Sequence, residues 1–346
     1  MLFRSHANVT GLELSDDGRR VAALHVRTRG GRSARVEAPH VVLANGTLEI
    51  ARLLLHPLAD GRPAPWHGSP WLARPLVDHL DCTAGDVHVL DQQRFHQLFD
   101  NLFLRGLKYF PRMRLAPSVQ REQQLLDCGA NFLYRTRFSE HLEVLKMFLR
   151  SLREGGMSGS VAGLPRHIAG VLGTAMPLAW RYFRDRRSFK PADAEVSLAL
   201  YCEQLPNPAS RIALGNERDA LGMRRLQVHW AIDGRELRTM RVFAEIIARD
   251  LEAAGLAKVD IHPLLREESP QFLANIHDAV HQMGCARMGT TPETGFVDPH
   301  GCVHGLSNLH IAGAAVFPSS GFANPTLTAM ALTLRLANRL AQQVAT

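Results

Sequence analysis

Residues 303–326, VHGLSNLHIAGAAVFPSSGFANPT, run from a Gly-containing turn into a short apolar strand, LHIAG, and out through Gly and Ala to a Pro-Ser-Ser-Gly stretch. Small residues at a strand exit let backbone approach a bulky ligand, because no side chain stands in the way. Asn324 and Pro325 then read as the N-cap and first residue of a terminal helix over TLTAMALTLRLANRL, residues 326–340. The free N–H groups and positive dipole end of such a helix start favour an anion. Upstream stands His281 in HQMGCARMG, residues 281–289, so one His and one Asn bracket a segment otherwise poor in reactive side chains.

Three roles compete for His281: a structural histidine, a metal ligand and a general acid/base. His281 and Cys285 sit four apart, and His300, Cys302 and His304 alternate. Zinc sites use tight ligand pairs on a turn or helix, and alternation would line three side chains along one strand face, so no metal site is assigned. The acid/base reading draws on the Gly/Ala-rich scaffold downstream, and on these residues alone the structural reading stays open beside it.

Working outward, Val9 to Leu14 and Val21 to Thr28 alternate apolar and polar residues around Asp16-Asp17-Gly18, the pattern of a β-hairpin. HVVLANG, residues 40–46, is a buried strand ending in Asn-Gly, and TLEIARLLL has the spacing of a helix packed on it. A strand leading through glycine into a helix is how α/β proteins bring backbone close to a nucleotide. The Pro-, Gly- and Trp-rich stretch 56–75 marks a domain crossing or a long loop. Beyond it, DVHVL (86–90), the run around Phe132 to Tyr134, EVSLALYCEQ (195–204), SRIAL (210–214) and LQVHWAI (226–232) read as strands of a largely antiparallel sheet. Helices are expected after Ser139, with Leu142, Leu145, Phe148, Leu149 and Leu152 as its apolar stripe, and after the D-x-x-E capping box Asp233–Glu236. The latter stripe is Leu237, Met240, Phe243, Ile247 and Leu251, stopped by Gly255.

The 346 residues, 46% hydrophobic and 21% charged, suffice for one large or two ordinary domains. A net charge of +7 permits attraction to anions, but the basic residues are scattered and lack aromatic interleaving, which argues against nucleic acid as a partner. Five widely spaced cysteines, without a CxxC pair, fit reduced thiols and a cytoplasmic location. The N-terminus lacks the apolar core of a secretory signal. The apolar run 168–180 is too short to span a bilayer; with the basic tail to 190 it could touch a membrane surface, though a buried helix with a solvated end is the better reading.

HQMGCARMG followed by GFVDPHGCVHGLSNLHIAGAAVFPSSGFANPTLTAMAL (295–332) resembles the C-terminal signature of the glucose–methanol–choline (GMC) flavoprotein oxidoreductases. VVLANGTLEIARLLL (41–55) is similar to the family's strand–glycine–helix element at the adenosine half of FAD, HANVTGL (6–12) to the strand before it, and EQLPNPASRIALGNERDALG (203–222) to its substrate-domain strands. The resemblance implies α/β plus α+β architecture: an incomplete, Rossmann-like FAD-binding domain (1–56 and 281–346) with an inserted antiparallel-sheet substrate domain (57–280). It implies FAD as cofactor and a small-molecule alcohol, of sugar or polyol class, as substrate. His281 matches the base that takes the hydroxyl proton while hydride passes to flavin N5, and Asn324 matches the position that fixes the substrate oxygen. Gly313 and Ala314 match contacts to the ribityl–diphosphate, Val9, Ala44 and Gly46 match the adenosine side, and Pro325 and Thr326 match the helix start near the flavin N1 and O2. Cys285 stands where the family often has Thr, and Gly313 where many members have Asp, the second departure being shared by a sugar-oxidising branch resembling pyranose oxidases.

The family's pyrophosphate-binding G-x-G-x-x-G turn does not occur in these residues. The expectation is therefore a chain lacking on the order of 150–200 family residues, either truncated or one half of a split enzyme. Its missing half or a partner chain would supply that turn, and the alternative function is a non-catalytic fragment that cannot bind FAD alone.

Overall fold

The computed structural model describes residues 5–136, 144, 146–147, 150, 164–188, 190–191 and 194–345. In chain order the strands are β1 (Asn8–Leu14), β2 (Val21–Arg27), β3 (Ser33–Val36), β4 (Val41–Leu43), β5 (Leu76–Val77), β6 (His79–Val89), β7 (Leu102–Leu104), β8 (Leu107–Tyr109), β9 (Met113–Arg114), β10 (Cys128–Arg135), β11 (Glu195–Glu203), β12 (Arg211–Arg218), β13 (Arg224–His229), β14 (Ala257–Ile261), β15 (His277–Asp278), β16 (Met283–Gly284) and β17 (Leu309–Ile311). The α-helices are α1 (Thr47–Leu55), α2 (Gln92–Phe99), α3 (Pro117–Glu122), α4 (Leu164–Asp185), α5 (Arg235–Ala253), α6 (Pro263–Arg266) and α7 (Thr326–Ala345). The apolar stripe of the helix expected after Ser139 lies outside the described residues; Val144, Lys146, Met147 and Arg150 within it are helical. No helix among the described residues is long and apolar enough to cross a membrane.

Two compact units form: Met1–Leu80 with Glu203–Glu236 and Asp278–Thr346, and Asp81–Cys202 with Leu237–His277. The first bound thus falls at Leu80 rather than 56 and Glu203–Glu236 joins the first unit, while its last segment begins at Asp278, near the expected 281; the physical reason for the first shift is packing of the Pro/Trp-rich stretch. The Trp66 indole N–H donates to the Leu54 carbonyl at 2.9 Å, and Trp66, Leu72, Leu76 and Val77 enter one core with Ile50, Leu54, Met283 and Ile311. Burying each such side chain stabilises the fold by about 1.5–3 kcal/mol. The expected antiparallel sheet is corrected too. SRIAL and LQVHWAI pair with each other as the hairpin β12–β13, and Ile212 and Met223 join the core of the first unit. Backbone bonds from Ile212 N–H to the Ala73 carbonyl and from Leu76 N–H to the Ser210 carbonyl, each 2.9 Å, fix that assignment.

In the first unit β1, β2 and β3 form an antiparallel sheet around the expected hairpin. Beside it β4 and β17 pair in parallel, with Val41 opposite Leu309 and Leu43 opposite Ile311. Buried Asn308 stitches these layers together: its Oδ1 accepts from Val21 N–H at 2.8 Å and its amide donates to the Val21 and Pro39 carbonyls. α1 buries Ile50, Ala51, Leu53 and Leu54, the spacing its sequence displays, and starts after Gly46 at φ 84 without a side-chain cap.

In the second unit the sheet order is β14-β6-β11-β10-β9, with β15 beside β6. α5 buries the expected stripe Leu237, Met240, Phe243, Ile247 and Leu251, and Gly255 turns the chain at φ 66. Its capping box does not close as expected. Asp233 accepts from Arg235 N–H at 3.2 Å, while Glu236 is buried and accepts from Leu205 N–H at 3.1 Å. A distant unpaired backbone donor outcompeted the local cap.

Candidate functional site

His281 lies between β15 and β16, in the segment that pairs with β5. Gly284, three residues on, has φ 78, and a Cβ there would run into the Pro75 carbonyl oxygen. Only glycine lets the His281 segment lie this close to β5. The backbone of His281 is held by Asp78, whose carboxylate accepts from the N–H groups of His79 at 2.7 Å, Ala279 at 3.3 Å and His281 at 3.1 and 3.2 Å. Asp78 is itself anchored, because its N–H donates to the Gln204 Oε1 at 2.9 Å. Gln204 Oε1 also accepts from the Trp230 indole, and its amide donates to the Ala231 carbonyl. Burial pushes the Asp78 carboxyl above its ordinary value of 3.8, outweighing the three N–H donors that oppose the shift.

The His281 ring is half-buried. Its Nδ1 stands 3.2 Å from Nδ1 of His79, with the rings edge to face, centroids 5.1 Å apart. Nε2 of His281 is the ring nitrogen that His79 does not engage. Cys285, which shares this segment, is buried, and burial pushes its thiol far above the ordinary range, so it is inert at neutral pH. Among the described residues no three His, Cys, Asp or Glu side chains gather as a metal site.

The remaining residues singled out from sequence fall at two neighbouring parts of the first unit. Val9 and Ala44 line one cleft of about 740 Å³, with Asn8, Asn45, Glu49 and Arg52. Gly46 follows at the C-terminal end of β4, with open space where a Cβ would point. Arg52 closes the cleft's far wall through an ion pair with Asp219 at 2.6 Å. Gly313 leaves the adjacent parallel strand β17 at φ 111, again with open space at its Cβ position, and caps the 3-10 turn Ala314–Val316. Two positive-φ glycines thus lie beyond the carboxyl ends of paired parallel strands, the end of a sheet at which α/β folds bind ligands. The carbonyls of Ala315 and Val316 accept from Ala286 N–H at 3.1 Å and Met288 N–H at 2.8 Å. The strand exit is thereby sewn to the segment that follows His281.

Asn324 differs from expectation. The first bond of α7 runs from Ala329 N–H to the Pro325 carbonyl at 2.9 Å, which places Pro325 at the cap and Asn324 one residue outside the helix. Asn324 and Thr326 are exposed, Pro325 is buried, and no hydrogen bond joins Asn324 to His281. Sequence reasoning missed Asp78 and His79. The available signal was a charged residue and an imidazole inside the otherwise apolar run PLVDHL (75–80), where buried polar groups require partners.

Residues 206–333 match the family model described as GMC oxidoreductase. The C-glycoside 3-oxidase of Microbacterium trichothecenolyticum is 31% identical over 152 residues, 43% of this chain and 28% of that protein. The paromamine 6'-oxidase of Streptomyces fradiae is 30% identical over 136 residues, 39% of this chain and 24% of that protein. The matches thus span about a quarter of the curated relatives' length. Among solved structures, a formate oxidase aligns with a TM-score of 0.54 at 15% identity, covering 97% of this chain and 60% of that one. The pyridoxine 4-oxidase from Mesorbium loti aligns with a TM-score of 0.55 at 18% identity, covering 97% and 57%. At these identities the likeness is one of fold.

Proposed function

We propose that this chain, whose residues 206–333 match the GMC oxidoreductase family model, serves in the FAD-dependent oxidation of an alcohol, of sugar or polyol class, with His281 as the base. One observation carries the reading: His281 is clamped through its N–H by buried Asp78 and through Nδ1 by His79, which leaves Nε2 outside the clamp. Names among the relatives, two C-glycoside 3-oxidases and the fructose dehydrogenase large subunit of Gluconobacter japonicus, favour a sugar-like substrate.

The residues present suit FAD. Val9, Ala44 and Gly46 would hold its adenosine end, Gly313 and Ala314 its ribityl–diphosphate, and Pro325 and Thr326 the edge where negative charge gathers, facing the open N–H groups of α7. When bound, FAD supplies the acceptor for the hydride that leaves the carbinol carbon. His281 takes the hydroxyl proton at Nε2, and the Asn324 amide, exposed at the start of α7, fixes the substrate oxygen. In the FAD-loaded protein His281→Ala should slow single-turnover flavin reduction by roughly 10²–10⁴-fold, and Asn324→Ala by less. Reduction of His281→Ala at the wild-type rate would sink the assignment.

A second reading has its own support: another polypeptide segment completes the FAD site. Among the described residues the parallel pair β4–β17 has two strands, whereas parallel sheets are normally larger and covered on both faces. Val42 on β4 is exposed, as are Leu327, Met330 and Leu334 along one face of α7. His310, opposite Val42, is buried with neither ring nitrogen hydrogen-bonded. The visible spectrum of the purified chain mixed with FAD separates the readings. Bound flavin in the chain alone supports the first, and flavin retained only after adding a polypeptide with a Gly-rich pyrophosphate turn supports the second.

A further inference from the structure

The two facing nitrogens, Nδ1 of His79 and Nδ1 of His281, can share only one proton when both rings are neutral, so one ring donates and the other accepts across their 3.2 Å separation. Which ring donates decides what His281 can do. If His281 donates from Nδ1, its Nε2 carries a lone pair and can take a proton. If His79 donates, the proton of His281 sits on Nε2, and that nitrogen cannot act as a base.

The geometry resists escape from this choice. His79 is 1% exposed, at the start of β6, and its backbone N–H is held by the same Asp78 carboxylate that holds the N–H groups of Ala279 and His281. Both rings therefore hang from one buried anion that Gln204 pins from behind. Gly284 keeps the His281 segment against β5, directly before Asp78. Rotating either ring away would bury a nitrogen without its partner, at a cost that buried polar groups rarely meet.

We propose that His79 is a positioning residue that selects the Nδ1–H tautomer of His281 by accepting its hydrogen bond, and so keeps Nε2 open to receive a hydroxyl proton. The inference rests on the reading of His281 as base and adds to it the group that makes the ring a base. His79 carries its own proton on Nε2 and touches neither substrate nor flavin. After proton uptake, the His281 imidazolium still donates from Nδ1 to neutral His79. That bond is then charge-assisted and stronger, so it favours the protonated product of the step.

The test needs no flavin. Long-range proton–nitrogen correlation spectra of the full chain, with ¹⁵N-labelled histidine at alkaline pH, report which nitrogen of each ring is protonated; His281→Asn assigns the His281 signals. The wild-type chain should show His281 protonated at Nδ1 and His79 at Nε2. His79→Leu should lose that preference in His281, and His79→Asn, whose Oδ1 can accept in place of Nδ1, should restore it. Unchanged signals from the other histidines serve as the control for folding. Wild-type His281 protonated at Nε2 overturns the proposal, and this outcome requires no variant to fold. A Nδ1–H tautomer that persists in His79→Leu overturns it as well while leaving His281 as base. Failure of the base reading shows elsewhere, as flavin reduction undiminished in His281→Ala.

Discussion

The surroundings of His281 and the start of α7 belong to the same unit and to the same proposed site, yet they are built in opposite ways. Around His281 the clamp is built of buried groups: Asp78 and Gln204 are hydrogen-bonded to backbone and side chains, and buried His79 meets His281 through Nδ1. At α7 the helix begins beside exposed Asn324, where first-turn N–H groups have no partner within the helix, and Leu327 is 79% exposed. The half proposed to handle the proton is thus held together by the chain's own side chains. The half proposed to meet a large anionic cofactor presents a helix start, glycine backbone and apolar surface. On the proposed reading, positional accuracy is concentrated at the base, and the other half is a receptive surface.

The strongest way to break this contrast is Asp78→Ala. It strips the acceptor from three N–H donors at once, and each buried donor left unpaired costs about 1–3 kcal/mol. The loss should be several kcal/mol in denaturant unfolding; a loss under about 1 kcal/mol would show that the clamp is ornamental. Asp78 also carries a pH signature. Its carboxyl binds a proton more tightly in the fold than in the unfolded chain, so its contribution is fully present below the ordinary value of 3.8 and is lost as pH rises through the raised folded value. Wild type should therefore gain stability relative to Asp78→Asn as pH falls through that window. A difference that is flat with pH would contradict the burial assigned to Asp78.

How much of this was open to view in the sequence follows from the range of the interactions. The run HVVLANG-TLEIARLLL displays strand, glycine and helix because each depends on neighbours within one or two turns; the helix matches residue for residue at α1, while the strand is shorter than expected, Val41–Leu43, with Val42 exposed. The stripe of α5 was legible for the same reason. His281 could be named but its partners could not, because Asp78 and His79 lie about two hundred residues away and nothing local marks the pairing. Glu236 misled for a related reason: the local box Asp233–Glu236 is a valid cap, but the unpaired Leu205 N–H supplied a better use for the buried carboxylate. The domain bounds failed at Trp66, since a Pro-rich loop announces irregular backbone and says nothing of an indole that seals the end of α1.

Gly284→Ala probes the same clamp with a smaller expected effect. The substitution adds a Cβ at φ 78, where it meets the Pro75 carbonyl. Left-handed strain of about 1–2 kcal/mol and a further 1–3 kcal/mol of overpacking should lower the stability by roughly 3 kcal/mol. The distortion falls on the β5–β16 pairing, so the His281 tautomer should become heterogeneous in the same spectra that test His79. A stable variant with a single tautomer would mean that β5 can yield without disturbing the base.

The smallest effect on folding is expected at the open end of the site. Leu327, Met330 and Leu334 are 79%, 64% and 63% exposed and follow one face of α7, so the triple change to Lys removes little buried surface from the chain. The midpoint of thermal unfolding should correspond to a change within about 0.5 kcal/mol per site, in contrast with the clamp. Association is where the substitution should register. If another polypeptide completes the FAD site, three charges on this face should abolish its capture by the chain, because each would have to be desolvated without a partner. Flavin uptake by the chain alone should be untouched. Should the triple variant instead unfold readily, the face would be one that copies of the chain cover for each other, and the contrast between a finished and a receptive half would have to be redrawn.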